Sequence, residues 1–164
     1  MTLTTHAITG AALATLMPTY LILGFAVGFA SHFLLDAIPH WDYSIASMES
    51  DERNPMNNDM ATKNKDFPKD LLKIGIDGIL GLLLSFILLG MFHQHSPIVI
   101  FLGAVGGMAP DALQFFYWKW RHEPLVSLQR FHIWIHAKTN LKNKPVIGIL
   151  FQVALICFIV FIFR

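Results

Sequence analysis

From Leu21 the chain runs almost without interruption through apolar residues, and the run ends in Ser31-His32-Phe33-Leu34-Leu35-Asp36-Ala37-Ile38-Pro39-His40-Trp41-Asp42. His32 and Asp36 are four residues apart, so on a helix they share one face a turn apart. Pro39 stops that helix, because the residue before a proline is pushed out of the α region. His40 and Asp42 then fall in the turn. Ionisable groups at the edge of a membrane-length apolar segment are costly, and they mark a functional site by default. The segment therefore predicts a helix in lipid whose polar end needs partners from elsewhere in the chain.

The remainder of the sequence has the same character. Of 164 residues, 54% are hydrophobic and 14% charged, against about 25% charged in an ordinary soluble domain. The pattern predicts an all-α, polytopic membrane bundle in a single domain, with about five membrane segments and one interfacial amphipathic helix. The five are residues 4–17, 20–38, 68–92, 97–118 and 145–163, of which the first is short for a span. Pro68, Pro97 and Pro145 suit the opening turns of the last three. Ala7, Gly10, Ala11 and Ala14 form a small-residue stripe in the first, and Gly24-x-x-x-Gly28 another in the second. Such stripes permit close helix contact in lipid. Residues 39–69 read as a polar loop with little regular structure between 49 and 65. Residues 119–144 read as a basic connection that carries the amphipathic helix at 125–138. No basic stretch precedes the first apolar segment, so it is expected to be retained rather than cleaved as a signal peptide. The net charge of +1 gives no sign of a nucleic-acid partner, and the single Cys157 excludes an internal disulfide framework. The lipid bilayer is the expected partner.

Folding the segments back and forth puts the 39–69 and 119–144 loops on one face with eleven of the twelve Lys and Arg, leaving Arg164 on the other. The positive-inside rule makes the first face cytoplasmic, in a multi-pass protein of the cell's inner membrane. Asp36, Asp77 and Asp111 come from three spans near that face. His6, His40, Asp42, His132 and His136 lie at the same level, whereas His93 and His95 belong to the opposite side. Converging carboxylates without intramembrane Lys or Arg repel one another unless a cation compensates them. A mixed His and Asp donor set suits Zn²⁺, with Mn²⁺ or Fe²⁺ as alternatives, as one ion or two. The expected ligands are His6, His32, Asp36, His40, Asp42, Asp77, Asp111, His132 and His136. Asp77 and Asp111 are also the expected catalytic carboxylates. Competing with this, Lys73 could pair with Asp77, Asp111 could cap a following helix, and the histidines could be polar positions at an interface.

Thr5-His6-Ala7-x-x-Gly10, His32-x-x-x-Asp36-x-x-Pro39-His40-x-Asp42, Asp77-Gly78 and Pro110-Asp111 together resemble a family of small bacterial membrane proteins grouped as membrane-bound metal-dependent hydrolases. That family is similar in ligand style to zinc-dependent phospholipase C. The resemblance implies metal ligation by His6, Asp111 and His132 or His136. It also implies hydrolysis of a phosphoester or lipid-derived substrate. The His-Arg-x-x-Thr-His-Ser segment of the family's better-known branch is missing here. Two other functions fit the same residues: a structural metal site that staples helices, and an ion or proton carrier. A carrier needs polar groups across the full bilayer depth, for which Ser85, Ser96 and Gln152 are the candidates in the opposite half.

Overall fold

The computed structural model describes residues 1–91, 95–138, 141 and 143–163. His93, Lys142 and Arg164, used above in assigning sides, lie outside the described residues. The helices are α1 (Leu3–Ala14), α2 (Leu21–Asp36), α3 (Phe67–Ser85), α4 (Pro97–Lys119), α5 (Leu125–Ile135) and α6 (Pro145–Ile162). A wider π turn, Phe86–Met91, continues α3. Prolines sit in the first turn of α3, α4 and α6, where their missing N–H costs nothing. Pro110 lies inside α4, which runs on through it, so Asp111 is a mid-helix residue and not the cap of a following helix.

Among the described residues, three helices are long and apolar enough to cross a membrane: Phe67–Met91, Pro97–Lys119 and Pro145–Ile162. The expected count of about five is not reached, because α2 has 16 residues and α1 only 12. At about 1.5 Å per residue α1 is roughly 18 Å long, well short of a hydrocarbon core of about 30 Å. It is nonetheless the centre of the bundle. It packs against α2, α3, α4 and α6, and from Thr5 to Ala12 every residue is buried.

Small residues make this possible. Gly103 of α4 lies so close to α1 that a Cβ there would come within 2.6 Å of the Gly10 carbonyl oxygen and 2.8 Å of Ala11 Cα. A Cβ on Gly107 would overlap the His6 carbonyl, and one on Gly28 the Gly103 carbonyl. The three backbones therefore meet almost directly, as the small-residue stripes suggested. Large apolar side chains instead face outward, among them Ile22, Leu72, Ile79, Leu150 and Phe158, while Thr5, His6, His32, Asp36, Ser85 and Gln152 are inside. This inverted distribution suits lipid as solvent, where burial carries no hydrophobic gain and polar groups must find partners within the protein.

The 39–69 segment holds more structure than its composition suggests. Met48–Glu49 pairs antiparallel with Asp59–Met60, and Pro55–Asn57 forms a 3₁₀ turn capped by Asn54. The end of α4 fixes it: Tyr117 Oη donates to Met56 O at 2.8 Å, and Lys119 Nζ reaches Asp59 at 2.6 Å and Met60 O. Arg121 donates to the carbonyls of Met56, Asn57 and Asn58. The two polar segments thus share one end of the bundle.

Candidate metal centre

Asp36 ends α2 because Pro39 prevents the helix from continuing. Its carboxylate is buried, and imidazole Nε2 atoms surround it. Beside Oδ2 lie His132 at 3.0 Å, His32 at 3.1 Å and His136 at 3.9 Å. Beside Oδ1 lie His6 at 3.2 Å and His40 at 3.7 Å, together with the Met1 amine at 3.1 Å. Asp111 Oδ1 stands 3.5 Å from His32 Nε2.

Besides His32, Asp36 and His40 from α2 and the turn after it, the side chains come from three other helices. His6 comes from the buried helix α1 and stacks on His32, with ring centroids 3.9 Å apart. Asp111 comes from α4. His132 comes from α5 and His136 from its C-cap. The connection after α5 is tied to the end of α2 by two backbone bonds, Ala137 N–H to Asp36 O at 2.7 Å and Leu141 N–H to His40 O at 2.9 Å. Phe33 packs edge-on against both Phe131 and His132, which seats α5 against α2.

The far ring nitrogens settle what the near ones do. His32 Nδ1 lies 2.9 Å from Gly107 O, His40 Nδ1 2.7 Å from Ile38 O, and His136 Nδ1 3.2 Å from Ala137 O. A carbonyl can only accept, so each Nδ1 carries a proton, and each ring, when neutral, presents the Nε2 lone pair. These lone pairs face carboxylate oxygens, and His32 Nε2 also faces His132 Nε2 at 3.3 Å. Acceptor against acceptor is repulsive unless a proton or a metal ion lies between. Protonating every ring would crowd several like charges into one buried site. An Nδ1 bonded to a carbonyl with Nε2 turned inward is the usual arrangement of a metal-ligating histidine. His6 adds a further sign: it is fully buried, and its Nδ1 has no hydrogen-bond partner among the described residues, while its Nε2 faces Asp36 Oδ1. The residues therefore fit a divalent cation. His32, Asp36, Asp111 and His132 offer ligand atoms that all lie within 4.8 Å of one another, and Asp36, His40 and His136 form a second such group.

No protein-family model, curated protein or solved structure matches this chain. The site's chemistry therefore rests on its own geometry.

Of the nine expected ligands, His32, Asp36, His40, Asp111, His132 and His136 fall in these two groups. His6 adjoins Asp36, and Asp42 Oδ2 adjoins His40 Nε2 at 3.1 Å. Burial alone would raise the Asp42 carboxyl, but His40 and the Met1 amine hold it below the usual carboxylate range. Burial pushes the His136 imidazole below its ordinary value, which favours the neutral, ligating form.

Asp77 does not join the groups. Its Oδ2 accepts from Leu3 N–H at 2.7 Å and Tyr43 Oη at 3.1 Å, and its Oδ1 accepts from Thr4 N–H at 3.1 Å and Thr4 Oγ1 at 2.7 Å. It caps the N-terminus of α1 from a neighbouring helix, a position where a carboxylate meets both free N–H groups and the positive end of the helix dipole. With four donors on its two oxygens, Asp77 is taken up in this cap and lies apart from the groups that include Asp36. Nor does it pair with Lys73, which binds Ser44 O and Asp70 instead.

Sequence reasoning missed the role of Tyr43 and the real place of Gln152. The Gln152 Oε1 accepts from Thr2 N–H, Thr2 Oγ1 and Thr5 Oγ1, and its Nε2 donates to Trp41 O at 2.8 Å. It anchors α6 to the polar end of the bundle and is not a step through the opposite half. Ser85 is likewise spent within its own helix, on Gly81 O. The i,i+4 relation of His6 to Gly10 of the small-residue stripe was an available hint that α1 carries its polar groups inward.

Proposed function

We propose that this chain is a multi-pass protein of the bacterial inner membrane. Its His/Asp centre binds a divalent metal, zinc by preference of the donor set, and hydrolyses a phosphoester of lipid origin at the cytoplasmic interface. One observation carries the reading: Nε2 lone pairs from α2 and the α5 region, with their Nδ1 protons fixed on carbonyls, converge on the buried carboxylate of Asp36. It agrees with the resemblance to membrane-bound metal-dependent hydrolases.

His32, Asp36 and His132 would hold the ion, with His6 beside them. A bound divalent ion would supply Lewis acidity and bring the pKa of water toward neutrality. Asp111 has a side chain one-third exposed, against almost none for His32 and Asp36. It is placed to receive the proton of an attacking water and pass it outward. Apolar surface lies close by along α2 and α4. A groove of about 380 Å³ between α2 and α4 is walled by Phe25, Phe29, Met108, Ala109 and Ala112. Ala112 follows Asp111 directly, and Phe29 packs edge-on to Phe33, which touches His132. An acyl chain in that groove would bring its headgroup to the centre.

The test uses detergent-purified protein stripped with chelator and reloaded with Zn²⁺ or Mn²⁺. The expected result is metal-dependent cleavage of vesicle phospholipid, with at least a hundredfold loss in Asp111→Asn. Metal-replete wild-type protein that turns over neither phospholipid nor a soluble aryl phosphodiester would leave the ion as a helix staple and overturn the hydrolase.

A further inference from the structure

We infer that the centre holds two divalent cations bridged by Asp36, the second bound by His40, His136 and Asp42 on the solvent side. The inference rests on the metal-dependent reading and deepens it. Asp36 is the one residue common to both ligand groups, and the remaining members do not merge into a single set around one point. His32 and His132 both address Oδ2, at 3.1 and 3.0 Å. Oδ1 faces other partners, among them the Met1 amine, 3.1 Å from it and 3.0 Å from Asp42 Oδ1. The fully buried His6 aims its Nε2 at Asp36 Oδ1 from 3.2 Å, and its Nδ1 has no hydrogen-bond partner among the described residues. His40 Nε2 lies 3.7 Å from Asp36 Oδ1 and 3.1 Å from Asp42 Oδ2.

Both groups reach solvent. His32, Asp36, His132 and His40 are almost wholly enclosed, whereas the Asp111 side chain of the first group is 33% exposed and the Asp42 and His136 side chains of the second are 34% and 38% exposed, so the second, with two open side chains, is the more accessible. His40 and His136 both fix their Nδ1 on backbone carbonyls within two residues of them in sequence, which orients their Nε2 atoms. Ions sharing a carboxylate in this way sit about 3.5–4 Å apart, the separation that clamps the attacking and leaving oxygens of a phosphate ester. A phosphoester is thus the substrate class that uses both.

Full-length protein in detergent, stripped by chelator and titrated with Mn²⁺ alone, separates the possibilities. Wild type is expected to saturate at two Mn²⁺ per chain with an exchange-coupled electron paramagnetic resonance signal. His136→Ala is expected to saturate at one, with the six-line signal of an isolated ion. His40→Gln provides the same readout should His136→Ala not fold. Saturation of wild type at one ion, or two coupled ions in both variants, overturns the inference and leaves a single-metal hydrolase standing. Saturation at zero overturns the metal reading itself.

Discussion

Helices α1 and α6 are both apolar, yet they occupy opposite places in the molecule. The α6 segment is the most hydrophobic of the three long helices, with a mean hydropathy of 2.8, and only 17% of it is buried. The α1 helix is shorter and carries three threonines and a histidine, and almost all of it is enclosed. In water the ranking would be reversed. In lipid, apolar side chains gain little by leaving the surroundings, so helix contact is won by close backbone approach and internal polar bonds. Hydropathy marks where the lipid is; glycine, alanine and threonine mark where the protein is.

That contrast makes a graded set of predictions. Gly103→Val places branched carbon where Ala11 Cα would be 2.8 Å from even a Cβ, and should destabilise the bundle by about 3 kcal/mol or more. Unfolding of the purified protein in mixed micelles measures this, and a loss below about 1 kcal/mol would mean that α1 is not held by that crossing. Asp77→Ala removes the acceptor of Leu3 N–H, Thr4 N–H, Thr4 Oγ1 and Tyr43 Oη, at a cost of about 2 kcal/mol. The same variant should keep its metal; metal loss at full stability would return Asp77 to the centre. Gln152→Leu frees α6 from Thr2, Thr5 and Trp41, for about 1 kcal/mol, read as faster proteolysis in the 119–144 connection. Phe158→Leu, on the exposed face of α6, should change stability by less than about 0.5 kcal/mol.

The same contrast explains what the sequence made legible. Helix starts at Pro68, Pro97 and Pro145 could be read because proline acts locally. The shared face of His32 and Asp36 could be read because four residues always make about one helical turn. The amphipathic helix expected at 125–138 is present as Leu125–Ile135, with His136 capping the helix instead of continuing it. The centrality of α1 was not legible, since a small-residue stripe announces a close partner without naming it. Nor was the fate of Asp77, because a carboxylate that caps a helix and one that binds a metal need the same two oxygens. Residues 48–60 looked unstructured because their order comes from Tyr117, Lys119 and Arg121, more than fifty residues away.

Everything functional depends on a cation at Asp36. Zinc K-edge X-ray absorption on the purified protein, beside Asp36→Asn, addresses that claim most directly. Wild type should show nitrogen and oxygen ligands at about 2.0–2.1 Å with the outer scattering of coordinated imidazole, and Asp36→Asn should lose most of its bound zinc. Wild-type protein that retains no zinc, manganese or iron, or a variant whose spectrum and metal content match wild type, would contradict the account.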